Sequence, residues 1–237
     1  IFFKMEKCLI YGEDPTINKL EEFAADLLNK ECGLYLPSGT QSNLAALLTH
    51  CQRGDEYIVG QDAHTYRFEG GGAAVLGSIQ PQPINFEPDG TLPIDQITSV
   101  IKPYDSHFAR SKLVCLENTQ AGKALDLAYI QQVRDLCDTH KLKLHLDGAR
   151  FFNACVDKSL KPGVLAEPFD SISICLSKGL GAPMGSILIG DKDFISEARR
   201  WRKVLGGGMR QAGIMAAGGL YALTHNTSRL AEDHDNA

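Results

Sequence analysis

The order of apolar and polar positions along the chain predicts strands that alternate with helices. Apolar residues recur at a helical spacing over 15–30 and 127–140, which favours amphipathic helices. Short runs rich in apolar residues, typical of strands, cover 34–36, 57–60, 112–117, 172–176 and 186–190, and an alternating run covers 141–146. Further helices are predicted at 44–51, 92–101, 192–205 and 209–224, and an extended segment at 78–84. This alternation predicts an α/β fold, with a mostly parallel central sheet and helices on both faces.

Polar side chains follow five of the predicted strands at the point where each strand ends. They come after positions 36, 60, 117, 146 and 176. In open α/β sheets, ligands bind beyond the carboxyl ends of the strands. The sequence therefore predicts one site at a single edge of the sheet.

Lys178 is the candidate around which this site is organised. It follows the apolar run 172–176, where we expect water to be scarce. Burial disfavours an ammonium ion, so the pKa should fall toward the range in which a neutral amine attacks a carbonyl. Gly179, Gly181 and Gly185 allow tight turns and a close approach of the backbone to a ligand.

Asp147 ends a second apolar strand and is the natural partner of Lys178, because a buried carboxylate needs a cation nearby. Pyridoxal phosphate suits such a pair: Lys178 links to its aldehyde, and Asp147 holds its ring nitrogen protonated. His64, just after another strand, could stack on the ring. Gly39 and Thr40 precede a predicted helix, whose free backbone N–H groups suit a phosphate.

Each of these residues, taken alone, also has a simpler explanation. Most lysines are solvated, and Asp147-Gly148 is a common turn dipeptide. Loop histidines and surface ion pairs account equally well for a further set: His64, His107, Arg150, Lys203 and Arg210. The joint consistency of these signals with one cofactor favours the site.

Composition narrows the classes of function. The 237 residues carry a net charge of −5, with no basic cluster for nucleic acid or an anionic membrane. No apolar run approaches the ~18 residues that a membrane span needs. Seven cysteines without a C-x-x-C spacing predict a reducing compartment, the cytosol, and neither a zinc site nor a disulfide framework.

Four segments closely resemble the low-specificity threonine aldolases, which belong to the aminotransferase-like, fold-type I group of pyridoxal-phosphate enzymes. They are 11–16 (YGEDPT), 37–43 (PSGTQSN), 145–150 (HLDGAR) and 175–183 (CLSKGLGAP). The resemblance runs from about Tyr11 to the end of the chain. It implies a pyridoxal-phosphate-binding large domain over 11–237, preceded by a divergent segment 1–10 and lacking the family's small C-terminal domain.

The resemblance also implies an activity: cleavage of L-threonine and L-allo-threonine, small β-hydroxy amino acids, to glycine and acetaldehyde. It implies a homo-oligomer, a tetramer or dimer, whose sites are built across subunits. Two alternatives stay open. One is another pyridoxal-phosphate reaction on the same scaffold, such as β-elimination or transamination. The other is an inactive chain.

Transferred position by position, the resemblance makes Lys178 the lysine that binds the cofactor covalently and Asp147 the partner of its ring nitrogen. His64 corresponds to the stacking histidine, with a disputed part as the catalytic base. Gly39 and Thr40 correspond to phosphate-binding residues.

Four more positions match family residues around the cofactor. Arg150 corresponds to an arginine near the cofactor and the substrate carboxylate, and His107 to a histidine that faces the substrate hydroxyl. Lys203 and Arg210 correspond to cations near the cofactor that reach a neighbouring subunit's site. We expect His64 or His107, directly or through water, to remove the hydroxyl proton.

Overall fold

A seven-stranded sheet forms the centre of the part of the chain that the computed structural model describes, residues 12–236. The predicted divergent segment 1–10 and Tyr11 lie outside these residues. The strands are β1 (Cys32–Leu36), β2 (Asp55–Gly60), β3 (Gln80–Ile84), β4 (Arg110–Glu117), β5 (Lys143–Gly148), β6 (Ser171–Cys175) and β7 (Ser186–Gly190). Their order across the sheet is β1-β7-β6-β5-β4-β2-β3.

Strand direction places most carboxyl ends at one edge. Strands β3, β2, β4, β5 and β6 pair in parallel. Strand β7 is antiparallel to both β6 and β1, so β1 runs in the same direction as β6. Every strand except β7 therefore ends at the same edge of the sheet.

Helices cover both faces of this sheet. They are α1 (Pro15–Leu27), α2 (Gly39–His50), α3 (His64–Arg67), α4 (Gly72–Gly77), α5 (Ile94–Val100), α6 (Leu127–His140), α7 (Phe151–Asp157), α8 (Pro162–Ala166), α9 (Lys192–Val204), α10 (Gly213–His225) and α11 (Leu230–Asp235). A short 3-10 turn, Thr227–Arg229, precedes α11. Helices α1, α5, α6, α7, α8 and α10 contribute to one buried apolar cluster, whereas α2, α4 and α9 pack on the other face.

Residues of β4 show why this architecture follows from the sequence. Val114 and Leu116 belong to the α6 face, and Leu113 and Cys115 to the α2 face. Successive side chains of a strand point to opposite faces, so a strand with both faces covered is apolar throughout. The predicted α/β fold with a mostly parallel sheet is confirmed.

Some boundaries and elements differ from the predictions. Helix α2 begins at Gly39, five residues before the predicted start, because the Ser38 hydroxyl accepts a hydrogen bond from the Gln41 N–H at 3.2 Å and caps the helix. The short helices α4, α7 and α8 were not predicted, since five to seven residues show little periodicity. Pro81 and Pro83 lie in β3 as predicted, and they are tolerated because β3 is an edge strand.

Two global expectations concern membranes and cysteines. Over residues 12–236, every helix is too short or too polar to cross a membrane. The cysteines of the same region are free thiols, and most of them are buried. Buried thiols such as Cys115 pack as small apolar side chains.

Candidate functional site

The predicted residues of the site meet at the carboxyl edge of the sheet. Glu117 and Asp147 are the paired ends of β4 and β5. His64 follows β2, and Lys178 follows β6. Gly39 begins α2 directly after β1. The shared edge predicted from the sequence therefore brings five chain segments together.

Asp147 lies at the centre of this cluster and is 3 % exposed. One carboxylate oxygen, Oδ2, accepts a hydrogen bond from Asn43 Nδ2 at 2.8 Å, and Oδ1 accepts one from the Ala149 N–H at 3.1 Å. Burial raises the pKa of Asp147, while the charges of His64 and Lys178 and the hydrogen bond from Asn43 act in the opposite direction. Asp147 is thus a desolvated acid that faces two cationic groups.

His64 is held in place by two carboxylates. Its backbone N–H donates to Glu117 Oε2 at 2.8 Å, at the start of α3. Its ring Nδ1 lies 2.8 Å from Glu69 Oε1. The hydrogen bond with Glu69 raises the pKa of His64 and fixes Nδ1 as the protonated nitrogen, so Nε2 is the free position.

Glu69 and Glu117 are both desolvated acids. Burial raises the pKa of Glu69, although hydrogen bonds from His64 and Asn43 favour its ionised form. Burial, with the charge of Asp147, raises the pKa of Glu117 to about 7. A cavity of about 480 Å³ borders His64 and Glu117 and is lined in part by Phe68 and Phe86. It offers room for a small ligand beside the imidazole.

Three of these side chains are close enough to raise the question of a metal ion. Ligand-type atoms of His64, Glu69 and Asp147 lie within 4.8 Å of one another. However, Glu69 Oε1 already accepts hydrogen bonds from His64 and Asn43, and Asn43 also donates to Asp147. We therefore interpret the group as a hydrogen-bonded cluster.

Lys178 joins the cluster, but in a different environment from the one predicted. Its charge acts on Asp147, His64 and Glu117, which places its amine at the same edge. The predicted burial is wrong: β6 ends at Cys175, and Lys178 lies on an exposed turn beyond it.

The turn after Lys178 has the predicted tight backbone. Gly181 and Gly185 adopt φ values of 72° and 101°, which residues with a Cβ rarely reach. At Gly185 a Cβ would also lie 2.5 Å from the ring of Tyr35. The backbone conformation therefore requires glycine at positions 181 and 185, whether or not a ligand is bound.

Gly39 and Thr40 form the exposed start of α2. The first N–H groups of a helix have no intrahelical acceptor, and the helix dipole makes this end positive. A Cβ on Gly39 would lie 2.8 Å from Cys175 Sγ, so only glycine lets α2 begin this close to the end of β6. The start of α2, which suits an anion, therefore lies beside Cys175, three residues before Lys178 in the chain.

The other predicted cations lie around the cluster. Arg150 is exposed at the start of α7 and borders a cavity of about 430 Å³ with Thr119. Lys203 and Arg210 are exposed at the end of α9 and in the loop after it. A hydrogen bond of 3.0 Å from Gln41 Nε2 to the Leu205 carbonyl holds this loop beside the first turn of α2.

His107 does not join the site within one chain. It precedes β4, so it lies at the amino edge, while the cluster lies at the carboxyl edge. The eight residues of β4 span roughly 25 Å. His107 is exposed and its Nδ1 lies 2.6 Å from Asp105. Within one chain this distance separates His107 from the cluster, and its assignment from the resemblance stays a prediction.

Sequence reasoning assigned no role to Asn43, Glu69 or His145. Asn43 is 1 % exposed on α2, and His145 is fully buried in β5. A usable signal existed for His145, because it stands two residues before Asp147 and residues i and i+2 of a strand share a face. The contact between Glu69 and Asn43 depends on the tertiary fold and left no local pattern.

Comparisons with known proteins place this geometry in a family. The family model described as Beta-eliminating lyase matches residues 5–237. The low-specificity L-threonine aldolase of Escherichia coli K12 is 58 % identical over 228 residues, which are 96 % of this chain and 68 % of that protein.

Two solved structures share the fold. A Listeria monocytogenes protein superposes with a TM-score of 0.83 at 24 % identity and covers 98 % of this chain and 64 % of its own. A Leishmania major threonine aldolase gives a TM-score of 0.79 at 23 % identity, covering 93 % of this chain and 66 % of its own. The chain spans about two thirds of the length of these relatives. Together, the match to the family model and the 58 % identity show that the chain belongs to the beta-eliminating lyase family.

Proposed function

We propose that this protein is a pyridoxal-phosphate-dependent threonine aldolase, which cleaves L-threonine and L-allo-threonine to glycine and acetaldehyde. The name of the E. coli relative supports the reaction. The observation that carries the proposal is the buried Asp147, which faces the charges of Lys178 and His64 at the edge where α2 begins.

The residues present fit the cofactor in two respects. The start of α2 at Gly39 is a surface that any larger residue would disrupt, and it suits a phosphate. Among residues 12–236, the side chain of the buried Asp147 accepts hydrogen bonds from neutral groups only, which suits a protonated ring nitrogen. Lys178 supplies the amine for covalent attachment. When bound, pyridoxal phosphate supplies the electron sink for the pair released as Cα–Cβ breaks.

His64 is the residue of this chain that is placed to accept the hydroxyl proton. Glu69 holds Nδ1 as the donor, so Nε2 carries the free lone pair of the neutral ring. Glu117 fixes the backbone of His64 and limits its movement. Because the hydrogen bond with Glu69 raises the pKa of His64, we expect cleavage to slow as pH falls through that pKa and His64 becomes protonated.

Product analysis tests the proposal directly. The purified chain, supplied with pyridoxal phosphate and L-threonine, should release glycine and acetaldehyde in equal amounts. Lys178→Ala should abolish release, whereas Lys19→Ala, at an exposed position of α1, should leave it unchanged. Equal activity of the two variants, or no acetaldehyde from the wild-type chain, would reject the assignment.

The family's name favours one alternative, a β-elimination on the same scaffold. Elimination from threonine would give a 2-oxo acid and ammonia in place of glycine and aldehyde. The same incubation separates the two reactions, because only the aldolase yields glycine.

We also infer a homo-oligomer in which His107 serves the site of another copy. His107 is exposed on a loop at the opposite edge of its own sheet, so a catalytic role requires a second chain. Mixed oligomers of Lys178→Ala and His107→Ala should recover part of the activity that each variant lacks. Failure to recover any, although mixed oligomers form, would limit the site to one chain. A cytosolic location stays a prediction.

A further inference from the structure

Asn43 occupies an unusual position between two buried acids. The two hydrogens of its amide nitrogen are both used: Nδ2 donates to Asp147 Oδ2 at 2.8 Å and to Glu69 Oε1 at 2.9 Å. A hydrogen bond to the charged form of an acid favours ionisation. One neutral group therefore supports the charge of both carboxylates without adding a cation that would compete with a ligand.

This arrangement requires one orientation of the amide. A flipped amide would turn Oδ1 toward two carboxylates, with which it would clash electrostatically. The observed Oδ1 lies 3.4 Å from His145 Nε2. This contact is long for a hydrogen bond, but it selects the correct orientation if His145 carries its proton on Nε2.

A chain of buried hydrogen-bonding groups lies behind His145. Ser171 Oγ lies 2.7 Å from His145 Nδ1 and 2.6 Å from His50 Nε2. Burial lowers the pKa of His145 to about 3 and that of His50 to about 4, so both rings are neutral at pH 7. Two arrangements of the protons fit these distances, because the Ser171 hydroxyl can donate to either ring. If it donates to His145 Nδ1, the proton of that ring is on Nε2, facing Asn43 Oδ1, and His50 Nε2 donates to the hydroxyl oxygen.

We propose that Asn43 is a positioning residue that keeps Asp147 and Glu69 ionised together, and that the buried chain His50–Ser171–His145 holds its amide in the orientation this requires. The value of two ionised acids rests on the proposed function, in which Asp147 faces the cofactor and Glu69 orients His64.

The readout is the titration of His64, and other titratable groups face it or Asp147. Glu69 comes from the segment after α3, Glu117 from β4, Asp147 from β5 and Lys178 from the turn after β6, while the buried Cys115 of β4 has a raised pKa and stays a neutral thiol. The variants described next retain all of these groups, so a change in the His64 pKa reports on Asn43 and the residues that orient it.

The first test is Asn43→Leu, which keeps the shape of the side chain and removes both donors. Without the hydrogen bonds from Asn43, Glu69 and Asp147 should protonate at higher pH, and His64 should lose its ionised partner Glu69. We expect the His64 pKa, followed by histidine NMR of the full chain without added cofactor, to fall by about one unit, a tenfold change in its ionisation constant. Asn18→Leu, on α1 far from the site, is the matched control. An unchanged or raised His64 pKa in Asn43→Leu overturns the proposal.

A second pair of variants tests the orienting chain and stays decisive if Asn43→Leu does not fold. His145→Gln can still donate to Asn43 and accept from Ser171, whereas His145→Phe can do neither. The Phe variant should lower the His64 pKa and the Gln variant should restore it. Equal values in both would show that His145 only fills space, which rejects the orienting role.

The absorbance of added pyridoxal phosphate separates this proposal from the function it serves. The pH midpoint of the bound cofactor's band should shift in Asn43→Leu. If Asn43→Leu lowers the His64 pKa but the wild-type chain cleaves no threonine, only the aldolase assignment is rejected. If the wild-type chain cleaves threonine but Asn43→Leu leaves the His64 pKa unchanged, only the role of Asn43 is rejected.

Discussion

His145 gives a prediction about stability at mildly acidic pH that can be worked through in numbers. The ring is fully buried, and desolvation, followed by the charge of His50, lowers its pKa to about 3. In an unfolded chain a histidine has a pKa of about 6.5. The unfolded chain therefore binds a proton as pH falls below 6.5, while the folded chain resists binding it until about pH 3.

Because the unfolded state binds more protons in this window, the free energy of unfolding falls as pH decreases through it. For the two pKa values of His145, the loss is about 2 kcal/mol at pH 5 and close to zero at pH 7. Glu117 acts oppositely, since its pKa of about 7 lets the folded state take up a proton first. The total pH dependence therefore cannot isolate His145.

A comparison with His145→Gln isolates it. Glutamine preserves the hydrogen bonds and does not titrate. Urea unfolding at pH 7 and pH 5, followed by the fluorescence of Trp201, gives the change in unfolding free energy for each protein. The wild type should lose about 2 kcal/mol more than the variant. His140→Gln, at an exposed position, should match the wild type. If His145→Gln loses as much as the wild type, the reasoning from burial fails.

Three further predictions rest on single contacts. Asp14→Ala removes the cap of α1, where the side chain accepts two backbone N–H groups, and should cost about 1 kcal/mol in urea unfolding. Glu21→Leu leaves the guanidinium of Arg202, which is 2 % exposed, without its carboxylate and should cost about 3 kcal/mol in the same assay. Gly39→Ala places a methyl group 2.8 Å from Cys175 Sγ and should weaken pyridoxal-phosphate binding about tenfold, measured by equilibrium dialysis. An unchanged free energy of unfolding would contradict either of the first two predictions, and an unchanged affinity for pyridoxal phosphate would contradict the third.

The location of the site could be predicted from the sequence because it depends on strand direction alone. Polar residues such as Asp147 and His64 follow apolar runs, and parallel strands present their carboxyl ends at one edge. The antiparallel direction of β7 could not be predicted, since the run 186–190 has the same apolar composition as its parallel neighbours. Strand direction depends on the connection, and the ten residues between Cys175 and Ser186 are too few for the crossover that a parallel strand needs.

The error at Lys178 has a physical cause. Its environment was predicted from its neighbours in sequence, whereas the exposure of a side chain depends on which other parts of the fold cover it. Lys178 lies one turn beyond its strand and is exposed, and His107 lies before its strand, at the opposite edge from the cluster. The resemblance identified the residue types of the site, whereas the tertiary structure determines which of them lie close together within one chain.

The role proposed for Asn43 also depends on residues that the tertiary structure brings next to it, and its neighbours in sequence give no sign of that role. Asn43 has no contact with His64 among its recorded hydrogen bonds in residues 12–236, and it reaches His64 only through Glu69. Residues in one network are expected to be non-additive. Glu69→Gln alone should lower the His64 pKa by removing the carboxylate that accepts from Nδ1.

Adding Asn43→Leu to Glu69→Gln should therefore leave the His64 pKa where Glu69→Gln alone puts it, apart from the smaller effect of Asp147. The four proteins of this double-mutant cycle are compared by histidine NMR under one set of conditions. If the two shifts simply add, Asn43 acts on His64 by another route, such as a rearrangement of α3. Asp147 is present in every member of the cycle, so the non-additive part of the His64 pKa shift reports on the contact through Glu69.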